Sequence, residues 1–188
     1  MTSTERLPDG QVWLERPIVY DIGPVPPLDL EAFRLTVHGA VLHPMELTWK
    51  DLLAFPTSEL VRDFHCVTTW SVKNIRWEGV RTKEIVDRVL PDPEALWIMA
   101  RGRDGYSTSM PAEDFRRPDS LLAFHMNGVP LAPDHGWPLR LVIPSLYAWK
   151  SAKYVCEIEF LSRRQRGFWE ERGYHDRGDP WREERYRT

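Results

Sequence analysis

Short apolar segments, ended by proline, glycine or polar residues, dominate this sequence and limit what it can fold into. Residues 33–39 alternate apolar and polar side chains, as expected for a strand with one buried face. Asn127-Gly128 between two apolar runs predicts a hairpin over 121–131. Helices are predicted at 51–55 and, after a turn at Gly79, at 82–90. Further segments of strand length occur at 45–49, 59–67, 95–100, 139–144 and 152–161. Strands thus outnumber helices, which predicts an α+β fold rich in β-structure.

The 188 residues are predicted to form one body with a segment of different composition at each end. Residues 1–30 are rich in proline, which fixes φ and removes a backbone donor, so we expect an extended arm packed on the body. Residues 31–162 hold the predicted strands and form the domain proper. Residues 163–188 are highly charged, yet they contain aromatic residues that a disordered tail seldom carries. We therefore expect this last segment to pack back on the domain.

The composition argues against several functional classes. The formal net charge is −3, and the arginines near the C-terminus are interleaved with acidic residues, so nucleic acid is not an expected partner. No apolar run approaches the roughly 20 residues that span a bilayer, and the N-terminus lacks the apolar core of a signal peptide. The chain has two cysteines, a sparse number that fits a reducing compartment. We expect a soluble, cytoplasmic protein with no membrane span.

Cys66 is the first candidate for chemistry, because it comes at the end of a predicted strand and is followed by polar Thr68 and Thr69. Loops at strand ends often carry functional groups. His65 and Arg62 are close in sequence, and cationic neighbours lower the pKa of a thiol. Two other interpretations stay open: a small buried apolar residue, or a nucleophile with a histidine partner. Cys156 lies in the middle of a predicted strand and is expected to be a core residue.

The second candidate is a cluster of cations within residues 135–153. Arginine offers a planar fork of donors and lysine a point charge, and both suit phosphate. Ser151 and nearby backbone N–H groups could complete an anion site. A strand flanked by solvated cations is the alternative. The members of this cluster are His135, Arg140, Lys150 and Lys153.

Taken together, these segments resemble the molybdopterin-dependent oxidoreductases of the sulfite oxidase family. The resemblance runs from about residue 15 to residue 181, and the order and spacing of the segments make it specific. The segments that carry it are GPVP at 23–26, FHCVTTWS at 64–71, WEGV at 77–80, DGY at 104–106, LLAFHMNGVPL at 121–131, HGWPLRLVIP at 135–144, WKSAK at 149–153 and GFWEERGYH at 167–175.

The resemblance implies a compact β-rich mixed domain that holds one molybdenum–molybdopterin cofactor. Its single cysteine ligand to the metal matches Cys66, and thiolate sulfur suits a metal of this kind. A tyrosine that faces the metal in sulfite-oxidising members matches Tyr174, which together with Cys66 is the expected catalytic pair. The loop near 101–104 is also expected to reach the pterin. The residues that match cofactor-binding positions are Tyr20, Asp21, His135, Arg140, Ser151, Ala152 and Lys153.

The implied activity is transfer of an oxygen atom or an electron pair on a small substrate that is sulfite-like or sulfoxide-like. Sulfite oxidases place an arginine beside the substrate anion where this chain has Tyr20, and they have a different loop after the cysteine. A less charged oxygen donor or acceptor is therefore favoured over sulfite. The chemistry also requires an external electron-transfer partner, because the sequence shows no second redox centre. The alternative is a non-catalytic cofactor-binding or partner-binding subunit of a larger redox complex.

Overall fold

Two β-sheets form the framework of the protein, and the computed structural model describes it over residues 6–187. Strands β1 (Val12–Leu14), β4 (Thr57–His65), β5 (Trp70–Arg81), β8 (Leu121–Met126), β9 (Val129–Pro130) and β10 (Arg140–Val142) belong to the first sheet. The long strand β5 is its centre: it pairs with β4 and β8 in antiparallel fashion and with β1 in parallel. The predicted hairpin at Asn127-Gly128 is confirmed as β8–β9, with both turn residues at positive φ.

The second sheet has the order β3-β2-β11-β6-β7. Its strands are β2 (Arg34–Gly39), β3 (Met45–Thr48), β6 (Trp97–Gly102), β7 (Ser107–Pro111) and β11 (Val155–Leu161). β11 pairs in parallel with β2 and antiparallel with β6. The alternation seen in the sequence is real here, because Leu35 and Val37 of β2 are completely buried.

Helices are few and short within residues 6–187. They are α1 (Trp49–Leu53), α2 (Thr82–Val89), α3 (Ala112–Phe115) and α4 (Phe168–Glu171). A capping box between Thr48 and Asp51 begins α1. The β-rich α+β class is therefore confirmed. None of the helices in this part of the chain is long and apolar enough to cross a membrane.

Gly79 does not form the predicted turn; it lies inside β5. A Cβ atom at this position would come within 2.0 Å of the Leu122 carbonyl oxygen on β8. The glycine is thus needed for close approach of two strands, where the pairing also shifts register between Glu78 and Gly79. The sequence analysis missed most of β5 for this reason, and it also missed the short strands β1 and β7.

The proline-rich arm and the charged C-terminal segment both contact the sheets. β1 of the arm joins the first sheet, and Glu170 of α4 places its carboxylate in the interior beside Lys150. Residues 1–5 of the predicted arm and residue 188 of the predicted tail lie outside the described residues. The division of the chain at residues 30 and 162 stays a prediction.

Two apolar clusters make up the core. One packs side chains of the second sheet against α2 and α3, with Phe33, Ile85 and Phe115 among its members. The other lies around the first sheet and includes Phe64 and Trp77. Cys66 belongs to this second cluster, at the point where β4 ends.

Candidate active site: a cavity lined by Cys66 and a buried arginine

A cavity of about 330 Å³ opens beside the end of β4, within the range usual for small-molecule sites. Distant parts of the chain form its wall: the arm at 17–22, the strand end and loop at 64–70, residues between 104 and 106, residues between 134 and 153, and two aromatic residues near the C-terminus. The predicted site residues that line it are Tyr20, Asp21, Cys66, His135, Arg140, Ser151, Lys153 and Tyr174.

Ala152 is the predicted cofactor-binding residue that does not line the cavity. Its side chain packs in the core, and its carbonyl accepts a hydrogen bond from the Leu141 backbone at 2.9 Å. Ala152 thus holds β10 against the segment that carries its neighbours Ser151 and Lys153. A role for it in cofactor binding stays a prediction.

Cys66 lies in a tight turn between β4 and β5. Its backbone N–H donates to the Trp70 carbonyl at 2.8 Å, and Thr69 has the positive φ that such a turn requires. The amide of Gln11 donates to the Cys66 carbonyl at 2.9 Å, and Arg185 donates to the Val67 carbonyl. The predicted position at a strand end is confirmed. Segments from both ends of the chain fix this turn.

The thiol of Cys66 is buried, and burial raises its pKa, although a hydrogen bond from Thr68 acts in the opposite direction. The neighbours that the sequence suggested are not the cause of any activation. His65 bonds the Ser71 hydroxyl at 2.7 Å, and burial lowers the histidine pKa. Arg62 is exposed and pairs with Asp119. The expectation of a cationic thiol environment from His65 and Arg62 is therefore wrong, because both side chains have other partners.

Arg140 is the buried cation of the cavity. Burial lowers its pKa to about 10, and its guanidinium lies 5.2 Å from the centre of the Phe64 ring. It donates one hydrogen bond to the His135 carbonyl at 3.3 Å, and its Nε has no partner among the described residues. A buried guanidinium with unused donors is costly unless an acceptor arrives. This arrangement is suited to an anionic group of a ligand.

His135 and Lys153 line the cavity together with Arg140. Burial lowers the pKa of His135, which ends a 3₁₀ turn. The Lys153 ammonium bonds the Asp21 carboxylate and the Asp134 carbonyl, so it ties the arm to the cavity wall. Ser151 is buried, and its hydroxyl accepts from the Ile143 backbone at 2.9 Å.

Lys150 does not belong to this cationic cluster, contrary to the sequence analysis. Its side chain is completely buried behind the cavity wall and forms an ion pair with Glu170. The 3₁₀ turn at Ala148–Lys150 directs neighbouring side chains differently, so Trp149 and Ser151 line the cavity while Lys150 does not. Arg101 is also elsewhere: it pairs with Glu157 and Glu159 across the second sheet.

Tyr174 is held among three aromatic rings. The ring centres of Trp149, Trp169 and Tyr186 lie 5.2, 5.0 and 5.2 Å from that of Tyr174. Burial raises the pKa of its phenol, and the thiol of Cys66 contributes in the same direction. The phenol is therefore neutral at physiological pH and able to donate a hydrogen bond.

Sequence reasoning missed several residues of the cavity wall: Phe64, Trp70, Asp134, Trp149 and Trp169. A signal was available for Trp149, because it lies two residues before Ser151, which was a predicted cofactor-binding residue. Burial raises the pKa of Asp104, another lining residue, which lies in the loop that was expected to reach the pterin. Trp70 Nε1 is, like Arg140 Nε, a buried nitrogen without a partner among residues 6–187.

These residues fit a pterin cofactor with a phosphate group and a thiolate-bound metal. Cys66 supplies a thiol on the cavity wall, and the other cysteine, Cys156, is on β11 with its thiol toward the Arg101 carbonyl. Arg140, His135 and Lys153 supply the donors that phosphate requires. The unpaired Arg140 nitrogen is the strongest sign of a missing acceptor.

Comparisons with known proteins agree with this geometry. A family model described as an oxidoreductase molybdopterin binding domain matches residues 22–169. The chain is 45% identical over 158 residues to the uncharacterized oxidoreductase YuiH of Bacillus subtilis, covering 84% of this chain and 80% of that protein. It is 28% identical over 155 residues to the catalytic subunit MsrP of a Campylobacter jejuni protein-methionine-sulfoxide reductase, covering 73% of this chain and 52% of that protein.

More distant relatives are longer than this chain. Mouse mitochondrial sulfite oxidase is 29% identical over 181 residues, with 80% of this chain and 33% of the oxidase covered. The crystal structure of the sulfane dehydrogenase SoxCD from Paracoccus pantotrophus superposes with a TM-score of 0.68 at 26% identity, over 74% of this chain and 40% of that one. The family match begins after Tyr20 and Asp21 and ends before Tyr174.

Proposed function

This chain belongs to the family of molybdopterin-binding oxidoreductases, and from that membership we propose that its cavity transfers an oxygen atom to or from a small, uncharged sulfur compound such as a sulfoxide. The cofactor is molybdenum–molybdopterin, as in the family. When bound, it supplies the two-electron redox change and the site of oxygen transfer. The observation that carries the proposal is a buried thiol, Cys66, on the same cavity wall as Arg140, whose Nε has no partner among the described residues.

We assign the cofactor contacts as follows. Cys66 is the thiolate ligand of the metal, and Arg140, with His135, Ser151 and Lys153, binds the phosphate end of the pterin. The guanidinium of Arg140 is already desolvated in the folded protein. Its bond to a phosphate therefore contributes binding free energy without a further loss of hydration by the arginine. Tyr20, Asp21 and Ala152 are the remaining proposed contacts.

Uncharged substrates are favoured by the side chains around Cys66. Tyr174 offers a phenol group, and by the resemblance Tyr20 stands where sulfite oxidases have an arginine. A phenol donates one hydrogen bond to a sulfoxide oxygen but does not neutralise a dianion such as sulfite. Tyr174, neutral because burial raises its pKa, is the proposed donor to substrate. MsrP is, by its name, the catalytic subunit of a protein-methionine-sulfoxide reductase, which supports a sulfoxide as the reacting group.

In the reducing direction, a sulfoxide, two protons and two electrons give a sulfide and water. Both electrons come from an external electron-transfer partner, which we propose as the partner of this chain. The chain spans 52% of MsrP and 33% of sulfite oxidase. The partner and the substrate of this chain are therefore proposed and are not taken over from those longer proteins.

The test is to express the protein in a host that makes the cofactor and to measure molybdenum content and visible absorption. Wild-type protein should carry molybdenum and a thiolate-to-metal band, and Cys66→Ser should lose the band. Cys156→Ser is the matched control, because this cysteine lies away from the cavity, and it should keep both. Absorption and metal content that survive Cys66→Ser unaltered would show the site assignment to be wrong.

Measurements of turnover with a sulfoxide and with sulfite distinguish the two substrate classes. We expect loaded protein to oxidise a reduced viologen dye when a small methyl sulfoxide is added, and to be slow with sulfite and an oxidising dye. Rapid sulfite oxidation would overturn the preference for an uncharged substrate. Stoichiometric molybdenum without turnover of either compound would favour the non-catalytic subunit.

A further inference from the structure

Thr68 lies between the Cys66 thiol and the Tyr20 phenol. Its hydroxyl oxygen is 3.2 Å from Cys66 Sγ and 3.4 Å from the Tyr20 hydroxyl oxygen. The first distance is short for a hydrogen bond that involves sulfur. Three polar groups from two distant parts of the chain therefore form one connected row at the cavity.

The donor and acceptor of each hydrogen bond in this row follow from the number of hydroxyl hydrogens that are available. A metal-bound thiolate has no proton and can only accept. Thr68 has a single hydroxyl hydrogen, so donating it to Cys66 leaves only its oxygen lone pairs for Tyr20. The Tyr20 phenol must then be the donor in its bond to Thr68. The row is directed from Tyr20 through Thr68 to Cys66.

The backbone of the turn fixes the contact between the Thr68 hydroxyl and the Cys66 sulfur. Gln11 donates to the Cys66 carbonyl and Arg185 donates to the Val67 carbonyl, which fixes the turn from both sides. The arm that carries Tyr20 is tied down by the ion pair between Asp21 and Lys153. Both ends of the row are thus held in place by contacts within the chain.

We infer that Thr68 is a positioning residue that tunes the metal through the Cys66 sulfur. A hydrogen bond to a ligating thiolate withdraws electron density from sulfur, weakens its donation to the metal and so raises the reduction potential. Tyr20 acts through Thr68, because its own donated bond orients the threonine hydroxyl. This inference rests on the proposed function, since it requires Cys66 to be a metal ligand.

The experiment compares spectra and midpoint potentials of loaded variants. Thr68→Val removes the donor at nearly constant shape, so the thiolate-to-metal band should move to longer wavelength and the midpoint potential should fall. Thr68→Ser keeps the hydroxyl and should restore both values. Tyr20→Phe should shift both in the same direction as Thr68→Val, but by less.

Thr57→Val is the matched control, because Thr57 is exposed at the other end of β4 and lies outside the cavity wall. It should leave the band and the potential unchanged. If Thr68→Val binds too little metal to be measured, Tyr20→Phe carries the test, since Tyr20 is more than half exposed.

The inference and the proposed function fail in different ways. Fully loaded Thr68→Val and Tyr20→Phe proteins with wild-type spectra and potentials would overturn the inference and leave the function intact. Wild-type protein without molybdenum or a thiolate band would overturn both.

Discussion

Lys150 and Glu170 form an ion pair in which both side chains are completely shielded from solvent. The same carboxylate accepts hydrogen bonds from Trp149 Nε1 at 3.0 Å and from the Thr108 hydroxyl at 2.8 Å. Trp149 is part of the cavity wall. Helix α4 therefore positions a ring of the cavity wall through a buried charge.

Glu170→Ala should destabilise the protein by about 3–5 kcal/mol, because it leaves the Lys150 ammonium buried and unpaired. Chemical denaturation of the cofactor-free protein measures this. The control is Asp87→Ala, which breaks an exposed pair with Lys83 and should cost less than about 1 kcal/mol. Equal losses in the two variants would show that the buried pair has no special structural role.

Replacing Arg140 by Met should have opposite effects on stability and on cofactor retention. In cofactor-free protein the change removes a desolvated charge, so the melting temperature should stay equal or rise. After loading and gel filtration, the variant should hold at least about tenfold less molybdenum, since a phosphate loses a charge-assisted partner. Arg62→Met is the control, because Arg62 is exposed and lies outside the cavity wall. Wild-type molybdenum content in Arg140→Met would contradict the phosphate assignment.

His135 should give a pH-dependent contribution to stability in the cofactor-free protein. Burial lowers its pKa below the ordinary value of 6.5, with the charges of Arg140 and Lys153 acting in the same direction and that of Asp134 opposing them. The folded state then binds fewer protons than the unfolded state, so this contribution is full above pH 6.5 and is lost as pH falls below it.

An NMR titration of His135 measures this directly. Inorganic phosphate should raise the pKa of the imidazole, because a bound anion favours the protonated form. His135→Gln should flatten the decline in stability below pH 6.5. A pKa above 6.5 without phosphate would show that the fold does not disfavour the charged ring.

Gly79→Ala should destabilise the protein by about 3 kcal/mol or more, because the added Cβ would lie within 2.0 Å of the Leu122 carbonyl oxygen. Thermal unfolding checks the change. Gly23→Ala is the matched control: nothing lies within 4 Å of a Cβ there, and its stability should be within about 0.5 kcal/mol of wild type. A tolerated Gly79→Ala would mean that β5 and β8 separate easily.

Tyr20→Arg should improve the binding of oxyanions. An added guanidinium at the cavity provides charge-assisted hydrogen bonds worth about 1.5–3 kcal/mol, which corresponds to roughly a tenfold or greater gain. Inhibition of sulfoxide turnover by sulfate measures the effect. The control is Leu42→Arg, because Leu42 is exposed and lies outside the cavity wall. Unchanged sulfate inhibition in Tyr20→Arg would show that residue 20 does not face the anion position.

Local patterns in the sequence were sufficient to predict the class of fold and the position of Cys66. The alternation in β2 and the Asn127-Gly128 turn depend on neighbouring residues only, so both were predicted correctly. β5 was largely missed because Gly79 breaks the strand pattern. A glycine is needed at this position because the backbone of Leu122, on the neighbouring strand, lies too close for a side chain. A close approach between strands leaves no trace in local sequence.

The electrostatics of the site could not be predicted because partners come from distant segments. Lys150 looked like a phosphate ligand, but its partner Glu170 lies in the charged C-terminal segment. His65 and Arg62 are neighbours of Cys66 in sequence, yet Ser71 and Asp119 take up their side chains. Alternation along a strand places neighbouring side chains on opposite faces, so closeness in sequence is a poor guide to charge around a thiol.

The cavity wall takes Tyr20 from one end of the chain and Tyr174 from the other. During synthesis the wall is incomplete until Tyr174 has left the ribosome. A nascent chain therefore has no finished place for a cofactor. A complete site therefore requires the segment that carries Tyr174 to fold onto the domain, so the proposed cofactor would enter a cavity whose two ends come together late in folding.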